Sequence, residues 1–202
     1  MLAFPTARLA LLSVPKTGTT ALEQALNIDA AVRLSGPPAL KHLNLRQFQT
    51  LVAPILRISH PQPFETIALM REPVSWLKSW YRYRARPEQN GRPNSTADVS
   101  FNAFVEAYLS NDRPSFARLG RQSNFLQPAP GQPPVDHLFR YEAIDEAALF
   151  MAARLGRSIV LERVNVSPDR DATLSLANLT RLQTELSADF TLWESARVQA
   201  AP

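Results

Sequence analysis

Between Leu9 and Leu26 the chain reads LALLSVPKTGTTALEQAL, an apolar run that breaks at Pro15 and resumes as an amphipathic stretch after Lys16-Thr17-Gly18-Thr19-Thr20. A strand that turns sharply into a helix aims several backbone N–H groups and the positive end of the helix dipole at one point, which suits an anion. Gly18 allows close backbone approach, Thr19 and Thr20 offer hydroxyl donors, and Lys16 brings a mobile charge. The order of residues narrows the ligand. Magnesium-nucleotide loops of the pattern GxxxxGK[ST] place lysine after the second glycine and a metal-binding hydroxyl next to it. Here lysine precedes the single glycine of the loop, so that geometry is not indicated.

A second cationic station follows the apolar run Thr66 to Met70, in REPVSWLKSWYRYR, Arg71 to Arg84. Pro73 suits a first helical turn, and Glu72 suits the positive helix end. If both apolar runs are parallel strands of one sheet, Lys16 and Arg71 emerge at the same carboxyl edge, where open α/β sheets bind ligands. At about 100° per residue, Ser75, Lys78, Ser79 and Arg82 share one arc of the following helix, with Trp76, Leu77, Trp80 and Tyr83 largely opposite. For proton transfer the candidates are His42, after the region around Ala31 to Leu34, and Glu142, after the run Val135 to Phe139. Capping explains either residue as well, and pairing with Arg140 explains Glu142. Gln122 and Ser123 stand as rim or capping residues, and His60 and His137 as structural ones.

The elements that must position these groups are visible in outline. Strands are expected near Arg8–Val14, Thr66–Met70, Val135–Phe139 and Ser158–Leu161. Helices are expected over Thr19–Leu26, Leu45–Leu56, Val74–Ala85, Phe101–Leu109, Ile144–Leu155 and Ser175–Leu186. Such alternation predicts an α/β fold, a three-layer arrangement with a mostly parallel central sheet flanked by helices. The polar or proline-rich stretches Arg86–Ser100 and Pro128–Pro134 read as loops. At 202 residues with 45% hydrophobic content the chain is expected to form one domain over residues 1–202. Its apolar run near the start is short and leads into Pro-Lys, so neither a signal peptide nor a membrane span is expected. The absence of cysteine excludes disulfides, thiolate metal sites and a cysteine nucleophile, and fits a cytoplasmic location. Three dispersed histidines show no metal spacing. A net charge of +4 favours an anionic partner.

The ordered pair Pro15-Lys16-Thr17-Gly18-Thr19-Thr20 and Arg71-x-Pro73, with Ser79 eight residues after the arginine, resembles the two signatures of sulfotransferases that use 3′-phosphoadenosine 5′-phosphosulfate (PAPS). SFNAFVEAYL, GRQSNFL, HLFRYEAIDE and RVNVSP resemble, in the same order, segments of the Golgi-type carbohydrate sulfotransferases and their bacterial relatives. The resemblance implies a fold of the P-loop nucleotide-binding type. Lys16, Thr17, Gly18, Thr19 and Thr20 would then hold the 5′-phosphosulfate, and Arg71 and Ser79 the 3′-phosphate. Lys16 would serve the leaving group and His42 the acceptor hydroxyl, without a metal. Two features depart from the cytosolic members: Ala21 replaces the tryptophan that often follows the loop threonines, and no glycine-rich loop lies near the C-terminus, where Arg163 and Asn165 could serve instead.

The expected activity is sulfuryl transfer to a hydroxyl or amine of a small-molecule or carbohydrate acceptor. One alternative is a P-loop small-molecule kinase, which calls for a magnesium-binding hydroxyl after the loop lysine and an aspartate ending a nearby strand. Others are a catalytically weak member of the same fold, or a polyanion module built on Lys78, Arg82, Arg84 and Arg86 with Trp76, Trp80, Tyr81 and Tyr83. No nucleic-acid motif is present, so no nucleic-acid partner is expected.

Overall fold

The computed structural model describes residues 1–162 and 170–198. In chain order its elements are β1 (Leu2–Phe4), β2 (Leu9–Leu11), α1 (Thr19–Leu26), β3 (Val32–Arg33), α2 (Pro38–Lys41), α3 (Leu45–Gln47), α4 (Ala53–Ser59), β4 (Glu65–Met70), α5 (Pro73–Arg84), α6 (Phe101–Tyr108), α7 (Gln122–Phe125), β5 (His137–Arg140), α8 (Ile144–Leu155), α9 (Leu176–Glu185) and α10 (Ser187–Ser195). Local chemistry sets many of these boundaries. The Glu72 carboxylate accepts from the N–H groups of Val74 and Ser75 and starts α5 with Pro73 in its first turn. Ser100 and Ser175 cap α6 and α9 in the same manner. A reciprocal Asn44–Gln47 capping box opens α3. A π-helical turn, Phe48–Val52, links α3 to α4. Pro54, two residues beyond its end, lacks an N–H and crowds the carbonyl four residues back, within the turn.

The chain is α/β, with a five-stranded sheet in the order β3-β1-β2-β4-β5. The sheet is mixed, which corrects the expectation of a mostly parallel one. β2, β4 and β5 are parallel neighbours, whereas β1 runs antiparallel to both β2 and β3. The reason is local: β1 returns into β2 through the turn Pro5–Arg8, closed by Arg8 N–H donating to Pro5 O at 3.1 Å, and so short a connection joins only antiparallel strands. The expected strand Ser158–Leu161 is also corrected, because those residues are not in a strand. Ile159 and Leu161 lean on the core while Val160 is 80% exposed. Beside β5 stands Arg197 instead, whose N–H donates to Leu138 O at 2.8 Å and whose carbonyl accepts from Arg140 N–H at 3.0 Å.

Contacts group the chain into two compact units. The first comprises Met1–Arg71, Gln122–Val164 and Ser195–Pro202, and the second Glu72–Arg121 and Asn165–Glu194. In the first, Leu9, Leu11, Ile67, Leu69 and Phe139 of the sheet pack with Leu22 and Leu26 of α1 and with Ala147 and Met151 of α8. In the second, Trp76, Leu77 and Tyr81 of α5 pack with Phe101, Phe104, Val105 and Tyr108 of α6 and with Leu182 of α9. The segment expected as a loose loop, Arg86–Ser100, is tied down within this second unit. Buried Thr96 donates to Tyr81 O at 2.7 Å, and Arg170 donates to the carbonyls of Thr96, Ala97 and Val99 at 2.8, 2.7 and 3.1 Å. The second unit carries ten basic and ten acidic residues and the first twelve and eight, so the whole charge excess lies on the first.

Candidate functional site

The loop after β2 and the residue after β4 meet at one sheet edge, because β2 and β4 are parallel and in register from Leu9↔Glu65 to Leu11↔Ile67. The Arg71 guanidinium reaches the Lys16 carbonyl at 3.5 Å and lies 4.6 Å over the Tyr141 ring, which follows β5 at the same edge. The Arg71 guanidinium thus reaches the backbone of the loop that carries Lys16, and it lies over the face of the Tyr141 ring.

Two residues of the loop are left-handed, Lys16 at φ 67 and Gly18 at φ 71. A non-glycine residue in that region costs about 1–2 kcal/mol, and such strain gathers at binding sites. The fold adds a requirement for Gly18 that the sequence did not suggest. A Cβ there would stand 2.8 Å from both Ile144 Cδ1 and Tyr141 Cε2, so the missing side chain makes room for the protein's own Tyr141. Thr17 is fully buried and donates to Val14 O at 2.9 Å, which closes the loop on itself. Thr19 is buried at the start of α1, while the Thr20 hydroxyl accepts from Lys41 Nζ at 3.5 Å. The Thr17 hydroxyl is thus engaged in shaping the loop. The first N–H groups of α1 have no acceptor within the helix, as at any helix start.

His42 stands beside the loop. Its Nδ1 lies 2.7 Å from Ser13 O, and since a carbonyl only accepts, the proton sits on Nδ1 and the neutral ring presents the Nε2 lone pair. Burial, helped by the Lys41 ammonium, pushes the imidazole below its ordinary pKa against the pull of the Ser13 carbonyl and Glu23. Burial and the Lys41 charge both favour the neutral ring. Behind it, Glu23 accepts from the Ser13 hydroxyl and pairs with Lys41 at 2.8 Å and with the Met1 ammonium at 3.2 Å. Burial opposes ionisation of Glu23, but these partners prevail and hold its carboxyl below the usual range.

Two further residues shape the site that sequence reasoning missed or left open. Lys41 adds a third cation close to the loop, and only the folding of α2 against α1 reveals it. Gln122, 1% exposed, accepts from Arg71 N–H at 3.0 Å and donates to Arg71 O at 2.8 Å. Its side chain thus clasps the backbone of Arg71. Glu142 lies exposed in the turn after β5. Ser79 lies on α5 in the second unit, where Arg84 and Tyr81 of the same helix are buried. Arg84 donates to the carbonyls of Ser115, Phe116 and Arg118, so with Trp76 and Tyr81 three members of the polyanion alternative are packed into that unit. Arg163 and Asn165 lie outside the described residues. His137 contacts Glu65 at 2.6 Å, at the opposite end of the parallel strands from Lys16.

Comparison of the chain with protein-family models, with curated proteins and with solved structures finds no match. Among the described residues no helix is long and apolar enough to cross a membrane, and no group of three or more His, Cys, Asp or Glu is placed to hold a metal ion.

Proposed function

We propose that this chain binds the phosphosulfate end of PAPS at the β2–α1 loop and transfers its sulfuryl group to a hydroxyl or amine acceptor. The observation that carries the reading is the convergence of Lys16, Arg71 and the start of α1 at one sheet edge, with the neutral imidazole of His42 tied to Ser13 two residues before Pro15. Lys16 and the helix N-terminus meet the charge that grows on the leaving phosphate. Arg71, clasped by Gln122 and stacked on Tyr141, is the cation assigned to the 3′-phosphate. Nε2 of His42 takes the proton as the acceptor oxygen or nitrogen bonds to sulfur and the bridging S–O bond breaks. In this reading the β2–α1 junction is a P-loop-type phosphate loop in a three-layer fold. The assignment of Ser79 to the 3′-phosphate rests on its sequence spacing from Arg71.

The experiment is thermal stabilisation by 3′-phosphoadenosine 5′-phosphate compared with ADP and magnesium. Preference for the former, lost in Lys16→Ala, supports the proposal. Preference for the latter transfers the site to a kinase.

A further inference from the structure

The helical run Leu45–Ser59 is apolar on two sides. One side buries Leu45, Phe48, Ala53 and Leu56 in the first unit. On the other, Leu51, Ile55 and Ile58 are 57%, 65% and 83% exposed and follow one another at intervals of four and three residues, which aligns them in one stripe. Isolated exposed aliphatics need no explanation, but three in register on one helix make an interaction surface. The charges of the same run say what the stripe meets. No Asp or Glu occurs between Asp29 and Glu65, and Arg46 and Arg57 on this run are exposed.

A second copy would bring the same acid-free segment against itself, with like charges opposed. A nucleic acid would find no ring to stack on, since Phe48, the aromatic residue of the run, is buried. An anionic lipid surface fits both features at once, because aliphatic side chains enter the acyl boundary while arginines meet headgroup phosphates.

We propose that Leu51, Ile55 and Ile58 dock this protein on an anionic bilayer, with Arg46 and Arg57 at the headgroups and α4 lying in the membrane plane. The helix lies on the bilayer and does not cross it: its fifteen residues span about 22 Å at 1.5 Å each, short of the ~30 Å hydrocarbon core.

Vesicle co-sedimentation of the full chain tests this. The chain is expected to bind phosphatidylcholine–phosphatidylglycerol vesicles, not phosphatidylcholine alone, with binding that declines as salt rises. Ile55→Ser/Ile58→Ser should lower partitioning at least about tenfold, from the apolar surface withdrawn from lipid. Arg57→Gln should lower it about fivefold, one cation near an anionic surface contributing about 1 kcal/mol. Both variants change exposed positions, so circular dichroism and the thermal midpoint should match the parent. Equal vesicle binding by the parent and the double variant would overturn the proposal. So would absence of vesicle binding, and sedimentation velocity showing self-association that the double variant lacks would then assign the stripe to a second copy.

Discussion

Substituting Gly18 by alanine perturbs the loop through two separable terms, and Gly156 supplies the control for one of them. Both glycines are left-handed, at φ 71 and φ 68. That conformation costs an alanine about 1–2 kcal/mol. A Cβ on Gly156, the residue that ends α8, meets nothing within 4 Å, so Gly156→Ala should destabilise by about that amount alone. At Gly18 the added carbon stands 2.8 Å from Ile144 Cδ1 and from Tyr141 Cε2, about 1 Å inside the favourable carbon–carbon range. The terminal carbon of Ile144 can rotate away. The Tyr141 ring is stiffer and carries the Arg71 guanidinium, so its displacement adds about 1–3 kcal/mol of overpacking. Gly18→Ala should therefore cost about 2–5 kcal/mol. Urea denaturation followed by far-ultraviolet circular dichroism measures both variants, since all three tryptophans, Trp76, Trp80 and Trp193, lie in the second unit and would report on the wrong region. Equal destabilisation by the two substitutions would refute the claim that Gly18 is required by Tyr141.

Other outcomes follow from the same geometry. Gln122→Leu removes both side-chain hydrogen bonds to the Arg71 backbone and should cost about 1–3 kcal/mol, with Gln122→Glu intermediate because it can accept but not donate; urea denaturation measures both. Glu65, bound by Arg154 and His137, has its carboxyl pulled from 4.5 to about 2. Its contribution to stability should be full above pH 4.5 and fade as the pH falls toward 2, and Glu65→Gln should remove that part of the acid dependence in a pH series of denaturation curves. For His42 the depressed pKa keeps the ring neutral, so kcat/KM should fall on acidification only below the ordinary histidine value of 6.5. A pH–rate profile checks this, and His42→Gln should abolish the acid limb together with most of the rate.

The sequence disclosed much of this arrangement where periodicity and capping are strong. Helices α1 and α8 have the expected limits, and α5 begins where Glu72 and Pro73 indicate. β2 and β4 were legible as apolar runs, and their parallel pairing brings Lys16 and Arg71 to one edge. What escaped depends on contacts between distant residues. Nothing in Leu2–Phe4 distinguishes a strand from a short apolar stretch until it pairs with β2 and β3. Ser158–Leu161 has strand-like composition but no sheet neighbour among the described residues, and Val160 is left in solvent. The clasp of Gln122 on Arg71 spans 51 residues, and the Lys41–Thr20 contact spans 21, separations over which no local pattern operates. Gly18 was legible as a needed glycine, but the added demand that Tyr141 makes on it comes from far along the chain.

Calorimetric titration of 3′-phosphoadenosine 5′-phosphate into the parent chain, Lys16→Ala and Arg71→Ala tests the phosphate grip most directly. Each cation lost should remove a charge-assisted contact of about 1.5–3 kcal/mol, a loss of affinity of about tenfold or more, while Gly156→Ala binds as the parent does. Unchanged affinity in both cation variants, with their folds intact by circular dichroism, would contradict the account.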